Sequence, residues 1–210
     1  MKRGFFLPAK GSIFPAVFFL LFLSVFAAAQ SDEEFLFNQF EQAIRSGNFT
    51  EARRIGNLLE NTYPASGKIL RVRFWLGTLE STYDQAEERL EGLARDYEDT
   101  EWARLADLRL AELAYLEDHP RDAVDALRRA ERRARDFEEE DPLTLSAVRL
   151  ELARAYLASG RESSAESILE RIEEEGRDLP PALDEFRGYL SAVVLWHDSQ
   201  EKDYWRALAE

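Results

Sequence analysis

Apolar residues recur along most of this chain at helical rather than strand spacing. In EEFLFNQFEQAIRS, Leu36, Phe40 and Ala43 share one stripe, and in KILRVRFWLGTLE, Leu70, Phe74 and Gly77 share its equivalent, the i, i+4, i+7 pattern of an amphipathic helix. A second helical stretch follows each of them. GNFTEARRIGNLLENTYP starts at Gly47, and STYDQAEERLEGLARDYE starts 34 residues later, with Phe49 returning as Tyr83, Ala52 as Ala86, Leu59 as Leu93 and Tyr63 as Tyr97. Asn48 with Glu51, and Thr82 with Gln85, have the spacing of capping boxes. The unit is a helical hairpin, written twice.

Two further hairpins follow at a looser period. In the third, Leu110, Ala111 and Ala114 mark the first helix, Asp118-His119-Pro120 the turn, and Ala123, Leu127 and Ala130 the second helix. In the fourth, Leu152, Ala153 and Tyr156 precede Gly160, and Ala165, Leu169 and Ile172 follow it. An alanine early in each second helix, at 52, 86, 123 and 165, recurs at intervals of 34, 37 and 42. A small side chain there lets two helices approach closely. Asp141-Pro142 reads as an N-cap with proline at the first helical position. Beyond Pro180-Pro181, residues 182–196 predict a ninth helix and DYWRALAE a short tenth. The expected fold is all-α, with hairpins over 33–66, 67–100, 104–140 and 142–178 and closing helices over 180–210, since the last apolar face of a repeat array must be covered.

These residues resemble the tetratricopeptide repeat, a 34-residue helix-turn-helix. Gly47-Asn48-Phe49, Ala52 and Pro64 match its motif in the first hairpin, and Leu152-Ala153, Tyr156, Gly160 and Ala165 match it in the fourth. The resemblance covers about residues 33–175; the second hairpin has Ser81 for the turn glycine and Glu98 for the closing proline. YPASGKILRVRFWLG is similar to the exported bacterial branch of the family, which includes the lipoprotein of the outer-membrane β-barrel assembly machine and the periplasmic partner of Tol-Pal. The lipoprotein cysteine of the one and the coiled coil of the other are missing here. The resemblance implies a right-handed superhelix, an α-solenoid, whose first helices line a concave groove that holds a segment of a partner protein. Stepping 100° per residue from the Leu70–Phe74–Gly77 stripe, Lys68, Arg71, Trp75, Thr78 and Leu79 share one arc that this geometry would turn to the groove. By equivalence Tyr115 and Arg154 would lie on the facing surfaces of the third and fourth hairpins. These are the expected partner-binding residues.

The first 29 residues change the picture of where the chain works. Lys2, Arg3 and Lys10 precede an apolar run, IFPAVFFLLFLSVF, and Ala27-Ala28-Ala29, the composition of a signal peptide with cleavage before Gln30. The expected location is periplasmic or otherwise extracytoplasmic. The alternative is an uncleaved inner-membrane anchor over residues 13–29, holding a structural subunit of an envelope complex. Without residues 1–29 the chain has 24 Lys and Arg against 41 Asp and Glu, a net charge of −17. That argues against nucleic acid and, if the leader is removed, against direct binding to anionic lipid, both of which need a basic face. There is no cysteine, so no disulfide forms.

Candidate chemistry is sparse. His119 and His197 have no partner at metal-ligand spacing, no nucleophile elbow or phosphate loop is present, and the carboxylates recur on helical faces such as AEERLEG. The expectation is a binding scaffold, with no enzyme activity, cofactor or metal. The run LRRAERRARD places Arg128, Arg129, Arg132 and Arg133 on one helix; it reads as a solvated face with local pairs, Asp125 to Arg129 and Glu131 to Arg135.

Overall fold

The apolar stripes fold as helices throughout, and the structure, a computed structural model, is all-α. It describes residues 32–136, 142–176 and 178–209, with the side chains of 142 and 200–209 excepted, so the leader and Asp141 lie outside the described residues. Among the described residues there are nine helices and no strand: α1 (32–45), α2 (Phe49–Thr62), α3 (Ile69–Thr78), α4 (Tyr83–Asp96), α5 (Glu101–Leu116), α6 (Pro120–Asp136), α7 (Pro142–Ala158), α8 (Glu162–Glu174) and α9 (Pro181–Ala209). The chain divides into two compact units, Met1–Ser66 and Gly67–Glu210.

In the first unit α1 buries Phe37, Phe40 and Ala43, and α2 buries Ala52, Ile55 and Leu59. Asn48 caps α2, its Oδ1 accepting the Glu51 N–H at 3.3 Å. The turn before it is a Schellman motif: Gly47 has φ 71°, its N–H donates to the Ile44 carbonyl at 3.1 Å, and the Asn48 N–H donates to the Ala43 carbonyl at 2.9 Å. Further along, the Ser66 hydroxyl donates to Glu33 at 2.6 Å.

The same turn closes two hairpins of the second unit. Between α7 and α8, Gly160 (φ 70°) and Arg161 donate to Leu157 and Tyr156 at 3.0 and 2.8 Å. Between α5 and α6, Asp118 takes the left-handed position at φ 59°, and it and His119 donate to Tyr115 and Ala114 at 3.2 and 2.8 Å. An aspartate thus does a glycine's task, which short polar side chains tolerate better than others. The second hairpin differs, since α3 ends at Thr78 and its turn has no left-handed residue. There Thr82 Oγ1 caps α4 by accepting the Gln85 N–H at 3.4 Å.

Each helix of the second unit packs on the next in sequence, from α3 to α9, and α3 also packs on α5 and α7 on α9. The alanines at 86, 123 and 165 are at most 2% exposed, as close helix approach requires. Gly77 has the same task more acutely: a Cβ there would lie 2.9 Å from both Cγ and Cδ2 of Leu90 on α4.

Three sequence expectations need correction. On α1 the buried stripe takes in Phe37 with Phe40 and Ala43, whereas Leu36 is half-buried. The buried stripe of α3 runs through Ile69, Val72, Leu76 and Gly77, whereas Leu70 and Phe74 are half-buried. The apolar surface of α3 is wide because the helix meets both α4 and α5, and Phe74 turns its ring to Trp102 of α5, 5.8 Å between centroids. The ninth and tenth helices are one helix, Pro181–Ala209. HDSQEKD reads as a polar break, yet it contains no glycine or proline to stop a helix.

Candidate functional site

Among the described residues three charged side chains, Asp107, Glu131 and Arg149, sit inside the apolar stripes of α5, α6 and α7. On α5 the buried positions are Ala103, Ala106, Asp107, Leu110, Ala111 and Ala114; the positions 42 residues later on α7, Leu145, Val148, Arg149, Leu152, Ala153 and Tyr156, are buried too, joined there by Ser146, Leu150 and Ala155. Asp107 and Arg149 are therefore equivalent residues of opposite charge, and α6 between them carries the complement of each. Arg129 Nε donates to Asp107 Oδ1 at 2.6 Å, and Arg133 Nε lies 3.1 Å from Oδ2 while its Nη2 donates to the Ala94 carbonyl at 2.8 Å. Glu131 faces the other way, accepting from Arg149 at 3.1 Å and Arg135 at 2.8 Å, and Arg149 also reaches Glu175 at 2.5 Å.

The basic run on α6 is thus divided: Arg129 and Arg133 turn toward Asp107, whereas Arg128 and Arg132 are exposed. The Glu131–Arg135 pair forms as expected, but Arg129 turns to Asp107 and not to Asp125, because a fully buried carboxylate without a cation is far costlier than an exposed one. Arg128 donates to the Tyr156 hydroxyl at 2.8 Å. Burial pushes the Asp107 carboxyl above its ordinary value against the pull of Arg129 and Arg133. Burial acts the same way on Glu131, but there the Arg135 and Arg149 hydrogen bonds outweigh it and the value falls.

A cleft opens between α5 and α7, which approach each other less closely than α3 and α5 do. Its cavity volume is about 340 Å³. The floor is apolar, with Leu108, Ala111 and Val148; Arg104 and Thr144 stand at one end, and Glu112, Tyr115, Glu151 and Arg154 at the other. Tyr115, late in α5, meets Glu151 and Arg154, late in α7, so the two helices run in the same direction. The cleft falls where the repeat interval is longest, 42 residues, and where α6 has 17 residues against 14 in α2 and α4.

Tyr115 and Arg154, expected on facing surfaces, meet here. The Arg154 guanidinium lies over the Tyr115 ring, 4.5 Å from its centroid, and pairs with Glu151 at 2.6 Å. Burial pushes the Tyr115 hydroxyl up to about 12 and raises Glu151 above its ordinary value despite Arg154. The other three expected residues lie on or beside α3, away from the cavity lining. Lys68 occupies the N-cap of α3, Arg71 is exposed, and Trp75 is half-buried with its ring edge-on to Phe74 at 5.8 Å.

Sequence reasoning missed Arg104, Glu112 and Glu151, which have no signal beyond being polar residues beside an apolar stripe. His119 stacks edge-on to Tyr83 at 5.8 Å, and His197 lies 3.9 Å from Glu162. Among the described residues no cluster of His, Asp or Glu could hold a metal ion, and no helix is long and apolar enough to cross a membrane. Compared with protein-family models and with curated proteins, the chain matches none of either.

Proposed function

We propose that the hairpins of residues 67–210 are tetratricopeptide-like repeats stacked as an α-solenoid and closed by α9, and that the protein is a non-catalytic scaffold of the bacterial cell envelope. A segment of a partner protein lies in the cleft between α5 and α7. The observation that carries this reading is the cleft itself: an apolar floor of two parallel first helices, flanked by a few charged and hydrogen-bonding side chains, has the make-up of a recognition site. The recurrent turn, the small residue early in each second helix and the α3–α5 and α7–α9 contacts support repeat stacking.

The test is partner recovery from the native envelope. Ala147→Trp fills the cleft from a half-buried position on α7, and Arg71→Glu with Trp75→Ala alters the α3 surface instead. Helicity by circular dichroism should be unchanged in both. Loss of recovery in Ala147→Trp alone supports the cleft; loss only in the α3 variant moves the site to that helix.

A further inference from the structure

The charges around the cleft are unequally matched. Glu112 is paired with Arg109 at 2.7 Å and Glu151 with Arg154 at 2.6 Å, so each carboxylate has a close cation. Arg104, at the opposite end, pairs with Glu101 at 3.4 Å; the guanidine side chain is 11% exposed and that carboxylate 64% exposed. A guanidinium offers five N–H donors in a rigid fork suited to a carboxylate. Among the described residues, one long contact with a solvated partner leaves most of that fork unused. Arg104 is the fourth residue of α5 and Thr144 the third of α7, so the positive ends of two helices reinforce the guanidinium.

We propose, resting on the cleft as the binding site, that the segment it holds is extended and acidic at one end: a large apolar side chain seats against Leu108, Ala111 and Val148, and a carboxylate pairs with Arg104. Along α5, Arg104 precedes Leu108 by four residues and Ala111 by seven, about 6–10 Å at 1.5 Å per residue. An extended chain covers that in about two or three residues. The recognised element is an Asp or Glu two or three positions from Phe, Leu, Ile or Trp. At the far end Arg109 and Arg154 are taken up by Glu112 and Glu151, so the carboxylate is drawn to Arg104, which orients the segment. The chain's net charge of −14 repels an acidic ligand at long range, so its electrostatic gain has to come from the short contact with Arg104 and the helix N-termini beside it.

The probes are capped peptides of about nine residues on a Gly-Ser background, each with one Phe and one Asp whose separation varies from one to five positions. Binding to the full chain is read by fluorescence anisotropy for wild type, Arg104→Gln, Arg104→Lys and Ala147→Trp, after circular dichroism shows each folded. Binding should be strongest at separations of two and three. It should fall about tenfold when Asn replaces Asp or when Arg104→Gln is used, the loss of one charge-assisted hydrogen bond, recover in part in Arg104→Lys, and vanish in Ala147→Trp. Peptides that bind alike with Asp or Asn, and alike to Arg104→Gln, but not to Ala147→Trp, would overturn the carboxylate contact and leave the cleft standing. Binding untouched by Ala147→Trp, or absent for every peptide, would overturn both.

Discussion

Gly77 and Asp118 hold their backbones for opposite reasons, and each permits a signed prediction. At Gly77 a methyl group would enter contact distance of the Leu90 side chain at 2.9 Å. Gly77→Ala should therefore lower stability by about 1–3 kcal/mol, the usual cost of overpacking a helix interface, read as a reduced midpoint in urea. Asp118→Gly should instead raise it by about 0.5 kcal/mol or more, since only glycine enters the left-handed region without steric cost. The buried carboxylates diverge in acid. Glu131 titrates below its ordinary 4.5 when folded, so the stability it contributes is present above that value and is lost as pH falls through the folded pKa. Asp107 titrates above its ordinary 3.8, so its contribution is full below 3.8 and is lost as pH rises through the folded pKa. Over the acid range Glu131→Gln should flatten the rise of stability with pH, and Asp107→Asn should steepen it. Denaturant titrations at stepped pH read both slopes, and equal slopes in the two variants would contradict the assignment.

Among the elements, α6 joins both of its sequence neighbours by charge. It presents Arg129 and Arg133 to Asp107 of α5 and Glu131 to Arg149 of α7. Arg149→Ala should cost about 3 kcal/mol, because it strips a cation that is 5% exposed from two carboxylates, whereas Arg135→Ala, at 48% exposed, should cost less than about 1 kcal/mol. Melting curves of the two variants check the ranking. Much of the helix pattern was legible beforehand: the caps at Asn48 and Thr82, Pro142 at the start of α7 and the repeat alanines each follow from a local rule. The α6 interlock was not, although its signal existed. Asp107 and Arg149 interrupt otherwise apolar stripes at the same repeat position, but one charged residue in a stripe reads equally well as the edge of the buried face. The length of α9 escaped for another reason: polar composition alone does not stop a helix. Tyr115 and Arg154 could be placed on facing helices by counting, while the cleft between them depends on how closely α5 and α7 approach, which no local rule gives.

For the whole molecule the proposals concern place and partner. A leader cleaved before Gln30 predicts a form released by osmotic shock whose N-terminal sequence starts near that residue; a full-length form retained with membranes would favour the anchored alternative instead. The central claim is that the α5–α7 cleft receives a partner segment. The most direct measurement is site-specific photocrosslinking in the native cell, with the reactive side chain placed at Thr144 in the cleft or at Asp125, exposed on α6. The account predicts a crosslinked partner peptide from position 144, lost when Ala147→Trp is added, and none from position 125. Crosslinks from 125 alone, or crosslinks from 144 that persist with the cleft filled, would contradict it.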